Sequence, residues 1–364
     1  METCVEKLVS EAKGGGPLSL RAAARLMSVM TDQPQRLGEL LAGSRDWPQP
    51  RLVLGITGAP GSGKSTLVDH LAIEFRLRNP ERRLGIVAVD PSSPFTGGAI
   101  LGDRVRMMRH STDPNIFIRS LASRGHLGGL TLGVKGVVRV MGLIGCDMVI
   151  VETVGVGQSE IEIARNADLV VVVLAPGQGD SVQMLKAGLM EAGDLFVVNK
   201  ADRPESAQLH QQLLASLQTS RMAQLDFSGG KQAPARCHDA GDAFNTDNSQ
   251  TDLPPAFLCS ASHHEGIGAL VDALEHIAAR DAELWRAERR QQAFEEIRQA
   301  VLEAVRHRVS DMIGTNGAAQ SRTSSILDGT KTLINFVDEL LRETVAEANV
   351  NHDGTVNTSG KLIP

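Results

Sequence analysis

A series of short apolar runs punctuates the middle of the chain: 52–57 (LVLGIT), 84–90 (LGIVAVD), 147–152 (DMVIVE), 169–175 (LVVVVLA), 195–200 (LFVVNK) and 256–261 (AFLCSA). These runs are continuous in Val, Ile and Leu and do not alternate with polar residues. That pattern predicts strands covered on both faces. Helical spacing fills the intervals, for example at 64–78, 132–144, 180–192 and 204–218. Alternating strands and helices predict an α/β fold with a doubly wound, mostly parallel sheet. Ligands of such sheets bind beyond the carboxyl ends of the strands, and the polar motifs described below fall at those ends.

The flanks read differently. Residues 1–50 predict helices: Leu20, Ala23, Ala24, Met27 and Met30 recur at helical spacing before DWPQP at 46–50 breaks the chain. The stretch 227–254 is rich in Gly, Asp, Asn and Ser and predicts a flexible surface insertion. From about 266 a long helical region runs to about 308. Its stripe of Leu284, Phe294, Ile297, Val301 and Val305 is narrow, suited to one partner helix or to packing on its own domain. Residues 310–329 and 350–364 read as linker and tail, with one more helix at roughly 330–348.

Composition narrows the function class. The chain has 364 residues, 42% hydrophobic and 22% charged, enough to bury a large core. A formal charge of −6, 3% aromatics and no tyrosine argue against nucleic acid and membrane surfaces as partners. Cys4, Cys146, Cys237 and Cys259 form no C-x-x-C pair, which predicts reduced, mostly buried thiols. With no membrane-length apolar run and no secretory or transit-like N-terminus, a cytoplasmic location is expected, or the mitochondrial matrix if the source is eukaryotic.

The strongest motif is GAPGSGKST, Gly58 to Thr66, which satisfies G-x-x-x-x-G-K-[ST] between a strand and a helix. Gly58, Ala59, Pro60, Gly61, Ser62 and Gly63 form a loop whose backbone N–H groups, Pro60 contributing none, turn around phosphates. Lys64 reaches the β- and γ-phosphates, Ser65 ligates magnesium, and the helix start from Lys64 to Thr66 favours the anion.

NKAD at 199–202 ends another apolar run. A carboxylate at Asp202 suits guanine N1–H and the 2-amino group; adenine would leave it buried and unpaired, which is costly. Asn199 supports the loop and approaches N7, the Lys200 stem covers the base, and Ser260 and Ala261 of CSAS lie near the base, with the Ala261 N–H aimed at O6.

Three acidic residues suit the metal side. Asp90 and Glu152 end strands expected next to the phosphate-loop strand, and Asp103 lies in a loop where a switch segment would sit. Gly155 of ETVGVGQSE offers its N–H to the γ-phosphate. The position that carries a water-orienting glutamine in small GTPases is Val156 here, and Gln158 is two residues further on. Slow intrinsic hydrolysis follows. Glu152 then senses the metal side, with general base as the alternative role, and the loop 154–160 reports the nucleotide. Asp180 and Lys186 either pair in an ordered loop or serve as a helix cap and a solvated lysine.

VDPSSPFTGGAILGDRVRM (89–107), RSLASRGHLGGLT (119–131), ETVGVGQSE (152–160) and NKAD together resemble the methylmalonyl-CoA mutase-associated GTPase family over roughly residues 17–310. Its members include bacterial mutase chaperones and the human methylmalonic aciduria type A protein; some were once called arginine/ornithine transport ATPases or kinases. The resemblance implies a G domain of the signal-recognition-particle/MinD-related class at 51–280, an N-terminal helical segment at 1–50, and a C-terminal helical dimerisation arm and tail at 281–364. It also implies a homodimer that binds GTP/GDP and Mg2+ and hydrolyses GTP when stimulated by a cobalamin-dependent methylmalonyl-CoA mutase. The family gates adenosylcobalamin loading and protects or reactivates that mutase. By motif, Lys64, Ser65, Asp90, Asp103 and Glu152 hold phosphate and metal, Asn199, Lys200 and Asp202 read guanine, and Asp180 and Lys186 fall in a further mobile switch. The stretch 227–254 is longer than the family's usual connection. Two other classes compete: a metal-delivery GTPase, which would carry close Cys/His ligands, and a kinase or ATPase acting on a periplasmic amino-acid-binding transport protein, which would need an acceptor site and a placed base.

Overall fold

β1 (Leu52–Gly58) is buried at every residue, and a strand with no exposed position has to be covered on both sides. In a computed structural model of the chain, Leu52, Leu54 and Ile56 enter one apolar layer and Val53 the opposite one. The structure describes residues 2–14, 16–32, 43–44, 46–91, 108–110, 112–123, 127–153, 167–177, 193–227 and 253–314. Asp103, Gly155, Val156, Gln158, Asp180, Lys186, nearly all of the 227–254 stretch, and everything after 314 lie outside them.

The strands after β1 are β2 (Arg83–Pro91), β3 (Ile116–Ser123), β4 (Cys146–Thr153), β5 (Leu169–Leu174), β6 (Leu195–Val198) and β7 (Ala256–Leu258). Among the described residues they form one seven-stranded sheet in the order β3-β2-β4-β1-β5-β6-β7. Every pairing is parallel. Strands β2 to β4 lie on one side of β1 and β5 to β7 on the other. The strand order therefore reverses at β1, and a crevice opens beyond its carboxyl end.

Helices cover both faces. On one, α1 (Glu2–Lys13), α2 (Pro17–Asp32) and α4 (Leu127–Leu143) share a core in which Leu26 and Met27 join Met141, Val53 and Val149. The N-terminal helices thus belong to the same core as the sheet. On the other, α3 (Lys64–Arg78) and the start of α6 (Ile267–Gly314) pack Leu71, Phe75, Leu274 and Trp285 against Leu54 and Ile150. Fully burying side chains of this size stabilises the fold by about 1.5–3 kcal/mol each. α5 (Glu205–Phe227) lays Leu209, Leu213 and Leu217 over Val172 and Phe196.

Several boundaries differ from the sequence expectation. β3 was not anticipated: it is an edge strand in which residues 116–120 are half-buried and Leu121 is buried, and Arg119 and Ser120 interrupt its apolar run. α4 begins at Leu127, ahead of the expected 132; Gly128 and Gly129, of low helix propensity, hid that first turn from a reading of the sequence. α5 continues to Phe227, beyond the expected 218. α6 runs unbroken through residue 280 and ends at Gly314, beyond the expected 308. On α2 the buried stripe is Ala22, Ala23, Leu26, Met27 and Met30, while Ala24 is half-buried.

Candidate nucleotide site

The phosphate loop joins β1 to α3. Gly58 has φ 147 and Gly63 φ 90, in the region that only glycine adopts freely. Space demands glycine as well. A Cβ at Gly58 would stand 2.1 Å from the Val173 carbonyl oxygen, and one at Gly63 2.3 Å from Asn199 Nδ2. Lys64 is buried, and its Nζ donates to the carbonyls of Gly58 at 2.8 Å and Ala59 at 3.0 Å. The ammonium is thereby folded over the loop ahead of the helix start. The Ser62 hydroxyl is buried and makes no hydrogen bond among the described residues. A leftover donor of this kind, beside a turn of N–H groups at a helix N-terminus, fits an anion. Pro60, Gly61 and Thr66 are exposed.

On the metal side, Ser65 Oγ donates to Glu152 Oε1 at 2.6 Å. β4 is hydrogen-bonded to β1 with Glu152 opposite Ile56, which carries the carboxylate to the foot of the loop. A hydroxyl and a carboxylate oxygen converging in this way fit a hard cation that takes few protein ligands and completes its shell with phosphate and water. Asp90 lies near the end of β2 opposite Ala122. The expectation that it borders the phosphate-loop strand is corrected: β4 stands between β2 and β1.

The base side is assembled beyond β6 and β7. NKAD and CSAS lie largely past the strand ends, because β6 stops at Val198 and β7 at Leu258. Asn199 is buried at 2% exposure. Its Nδ2 donates to the Ser62 carbonyl at 3.0 Å, and its Oδ1 accepts from the Ala261 N–H at 3.1 Å. Asn199 is therefore a strut between the phosphate loop and the CSAS turn. The Ala261 N–H assigned by sequence to the base is engaged by that strut. Lys200 adopts φ 63, and its Nζ donates to the Gly61 carbonyl at 2.7 Å.

Asp202 Oδ1 accepts from Ser260 Oγ at 2.6 Å. The Ser260 hydroxyl holds the Asp202 carboxyl below its ordinary value of 3.8, helped by His263 and Arg203. The expectation of a protein-buried carboxylate is corrected: the Asp202 side chain is 35% exposed. Ser260 itself is fully buried, and its backbone closes a small turn with Glu265 by reciprocal bonds of 3.0 and 3.1 Å.

Lys64, Ser65, Glu152, Asn199, Lys200, Asp202, Ser260 and Ala261 thus gather at one end of the sheet. Sequence reasoning passed over His263 and His264, which end this turn. The signal available was a histidine doublet directly after CSAS. Of the thiols, Cys146 and Cys259 are free and buried, as expected, and burial pushes both up to about 12.

The family model described as "Methylmalonyl Co-A mutase-associated GTPase MeaB" matches residues 30–313. The chain belongs to the MeaB family. A protein of Pyrococcus abyssi described as "Putative GTPase" is 48% identical to this MeaB-family chain over 199 residues, 55% of this chain and 60% of the relative. The methylmalonic aciduria type A homolog of Caenorhabditis elegans, described as mitochondrial, is 42% identical over 149 residues, 41% of this chain and 37% of the relative. The matches thus span less than two thirds of these relatives' lengths. A crystal structure described as LAO/AO transport system kinase superposes with a TM-score of 0.53 at 21% identity, covering 94% of this chain and 98% of that one. It shows the shared α/β fold. Among the described residues no helix is long and apolar enough to cross a membrane.

Proposed function

We propose that this MeaB-family protein binds and slowly hydrolyses GTP, and uses the nucleotide state to serve a cobalamin-dependent acyl-CoA mutase, gating adenosylcobalamin loading and protecting or reactivating that enzyme. The loop Gly58–Thr66 wraps the phosphates, with Lys64 placed over them. Magnesium, when bound, supplies charge neutralisation at the phosphoryl oxygens. Ser65 and Glu152 are its nearest protein oxygens, and Asp90 and Asp103 complete that side. Gly155 offers its N–H to the γ-phosphate. Residues 1–50, 51–280 and 281–364 act as helical flank, nucleotide domain and dimerisation arm of a homodimer.

The observation that carries the reading is the latch on Asp202. Ser260 fixes one carboxylate oxygen at 2.6 Å, and the Asn199 strut ties the same turn to the phosphate loop. An oriented carboxylate on a turn bound to a phosphate loop reads a purine that offers two N–H donors on one edge. The base, rather than the protein, covers Asp202, so adenine fails chiefly by leaving that carboxylate desolvated and unmatched.

The substitution Asp202→Asn tests this. It should weaken GTP by about 100-fold, the loss of two charge-assisted bonds of about 1.5 kcal/mol each. It should leave ATP unchanged and strengthen xanthosine triphosphate, whose edge carries a carbonyl in place of the 2-amino group. Equal losses for GTP and ATP would reduce NKAD to a structural turn.

A further inference from the structure

His264 follows the 3₁₀ turn Ala261–His263 and has φ 59, left-handed backbone that an ordinary side chain adopts only where its surroundings over-determine it. Its backbone N–H caps that turn on the Ala261 carbonyl at 3.3 Å, and its ring is held from outside the turn. Nε2 stands 3.0 Å from Glu74 Oε2, and Nδ1 stands 2.9 Å from His70 Nδ1. A carboxylate only accepts, so the His264 Nε2 carries a proton. Two Nδ1 atoms at hydrogen-bond distance need one donor and one acceptor, so the pair shares a single proton. His70 and Glu74 both lie on α3, which begins at the phosphate-binding Lys64. The turn that carries Ser260 and Ala261 is thus fastened to the phosphate helix at a point away from the Asn199 strut.

We propose that His264 is a positioning residue of the nucleotide site: bridging to His70 and Glu74, it locks the base-reading turn against the phosphate-binding helix, and acid releases the lock. The inference rests on the guanine-nucleotide reading above. The charged and titratable groups around the pair are Asp69, Glu74 and Arg78 on α3, Arg109 and His110 of the 3₁₀ turn Met108–His110, Asp272 on α6 through Arg78, and Asp202 and His263 on the base-reading side. Desolvation holds His70 below 6.5; the Asp69 charge opposes this, and His264, Arg109 and His110 add to it. The His264 bond and Arg78 hold Glu74 below 4.5, so it stays a carboxylate in the range of interest. One proton bridges the two imidazoles as long as either Nδ1 keeps its lone pair; acid that turns both Nδ1 atoms into donors removes the acceptor, and the link opens.

The test is dissociation of a fluorescent GDP from the full-length protein, wild type against His264→Gly. Glycine adopts φ 59 without strain, so a residue with only a structural role would make this change neutral or stabilising. The expected result is dissociation about 3–10-fold faster in the variant at pH ~7.5, with the ratio falling towards one at pH ~5.5 as the wild type loses the same link. The terminal phosphate of GDP titrates in the same range, and its contribution cancels in the ratio. His70→Ala should act in the same direction, and the double variant should be no faster than His264→Gly alone. A ratio of one at the higher pH, or a ratio independent of pH, overturns the inference. Wild-type protein that binds ADP as tightly as GDP would instead overturn the guanine reading, whatever the histidine variants do.

Discussion

Gly63 links the two halves of the nucleotide site at the scale of one residue. An added methyl would meet Asn199 Nδ2 at 2.3 Å and would have to adopt φ 90. Gly63→Ala should therefore push Asn199 off the Ser62 carbonyl and free the Ala261 N–H it holds. The strain of such a position is about 1–3 kcal/mol, so GDP affinity should fall roughly 5- to 150-fold, read by calorimetry beside a melting curve. Unchanged affinity would mean that the strut is not needed for binding. The motifs at this scale were legible in the sequence because their spacing is local: a phosphate loop after a strand, then N-K-x-D. The engagement of Ala261 by Asn199, the exposure of Asp202 and the contact between His70 and His264 were not legible. Each depends on segments far apart in the chain, brought together by strand order.

At the scale of elements, the continuous Val/Ile/Leu runs of β1, β5 and β6 were legible as strands because each is buried along its whole length, whereas the edge strand β7 is only partly buried. β3 was hidden because an edge strand needs only half its surface apolar, and its run contains Arg119 and Ser120. α6 also carries an interaction that spacing does not reveal. Arg289 donates through Nε to Asp168 Oδ1 at 2.8 Å and through Nη1 to the Pro50 carbonyl at 2.9 Å, while Asp168 Oδ2 accepts from the Val53 N–H at 2.6 Å. The Asp168 side chain is 5% exposed. This pair pins the long helix at the amino ends of β1 and β5, opposite the nucleotide. Removing the cation from a buried carboxylate costs about 3–5 kcal/mol. Arg289→Ala should lower the urea midpoint accordingly, and Asp168→Asn combined with Arg289→Met should recover much of the loss. A midpoint within error of wild type for Arg289→Ala would show that water replaces the guanidinium without cost.

For the whole molecule, the consequence of this layout is that one helix reaches both the nucleotide and the long C-terminal element. α3 starts at Lys64 over the phosphate loop and ends at Arg78, which pairs with Asp272 and bonds the Gly268 carbonyl on α6; Asn79 adds a 2.8 Å bond to Glu275. A change in how α3 is held at its first turn is therefore delivered to the first turns of α6 without any intervening loop. If the MeaB-family chain serves a mutase, capture of that enzyme should depend on the nucleotide and on Lys64 together. Immobilised wild-type protein should retain a cobalamin-dependent acyl-CoA mutase to different extents with a non-hydrolysable GTP analogue and with GDP, and the mutase should accelerate GTP turnover. Lys64→Ala removes the ammonium that folds over the loop, so retention should become equal under the two nucleotides and the acceleration should vanish, while the melting temperature stays within a few degrees. A variant that still distinguishes the nucleotides would place the signal outside the phosphate loop. Fast turnover by wild type without any partner would contradict the expectation drawn from Val156.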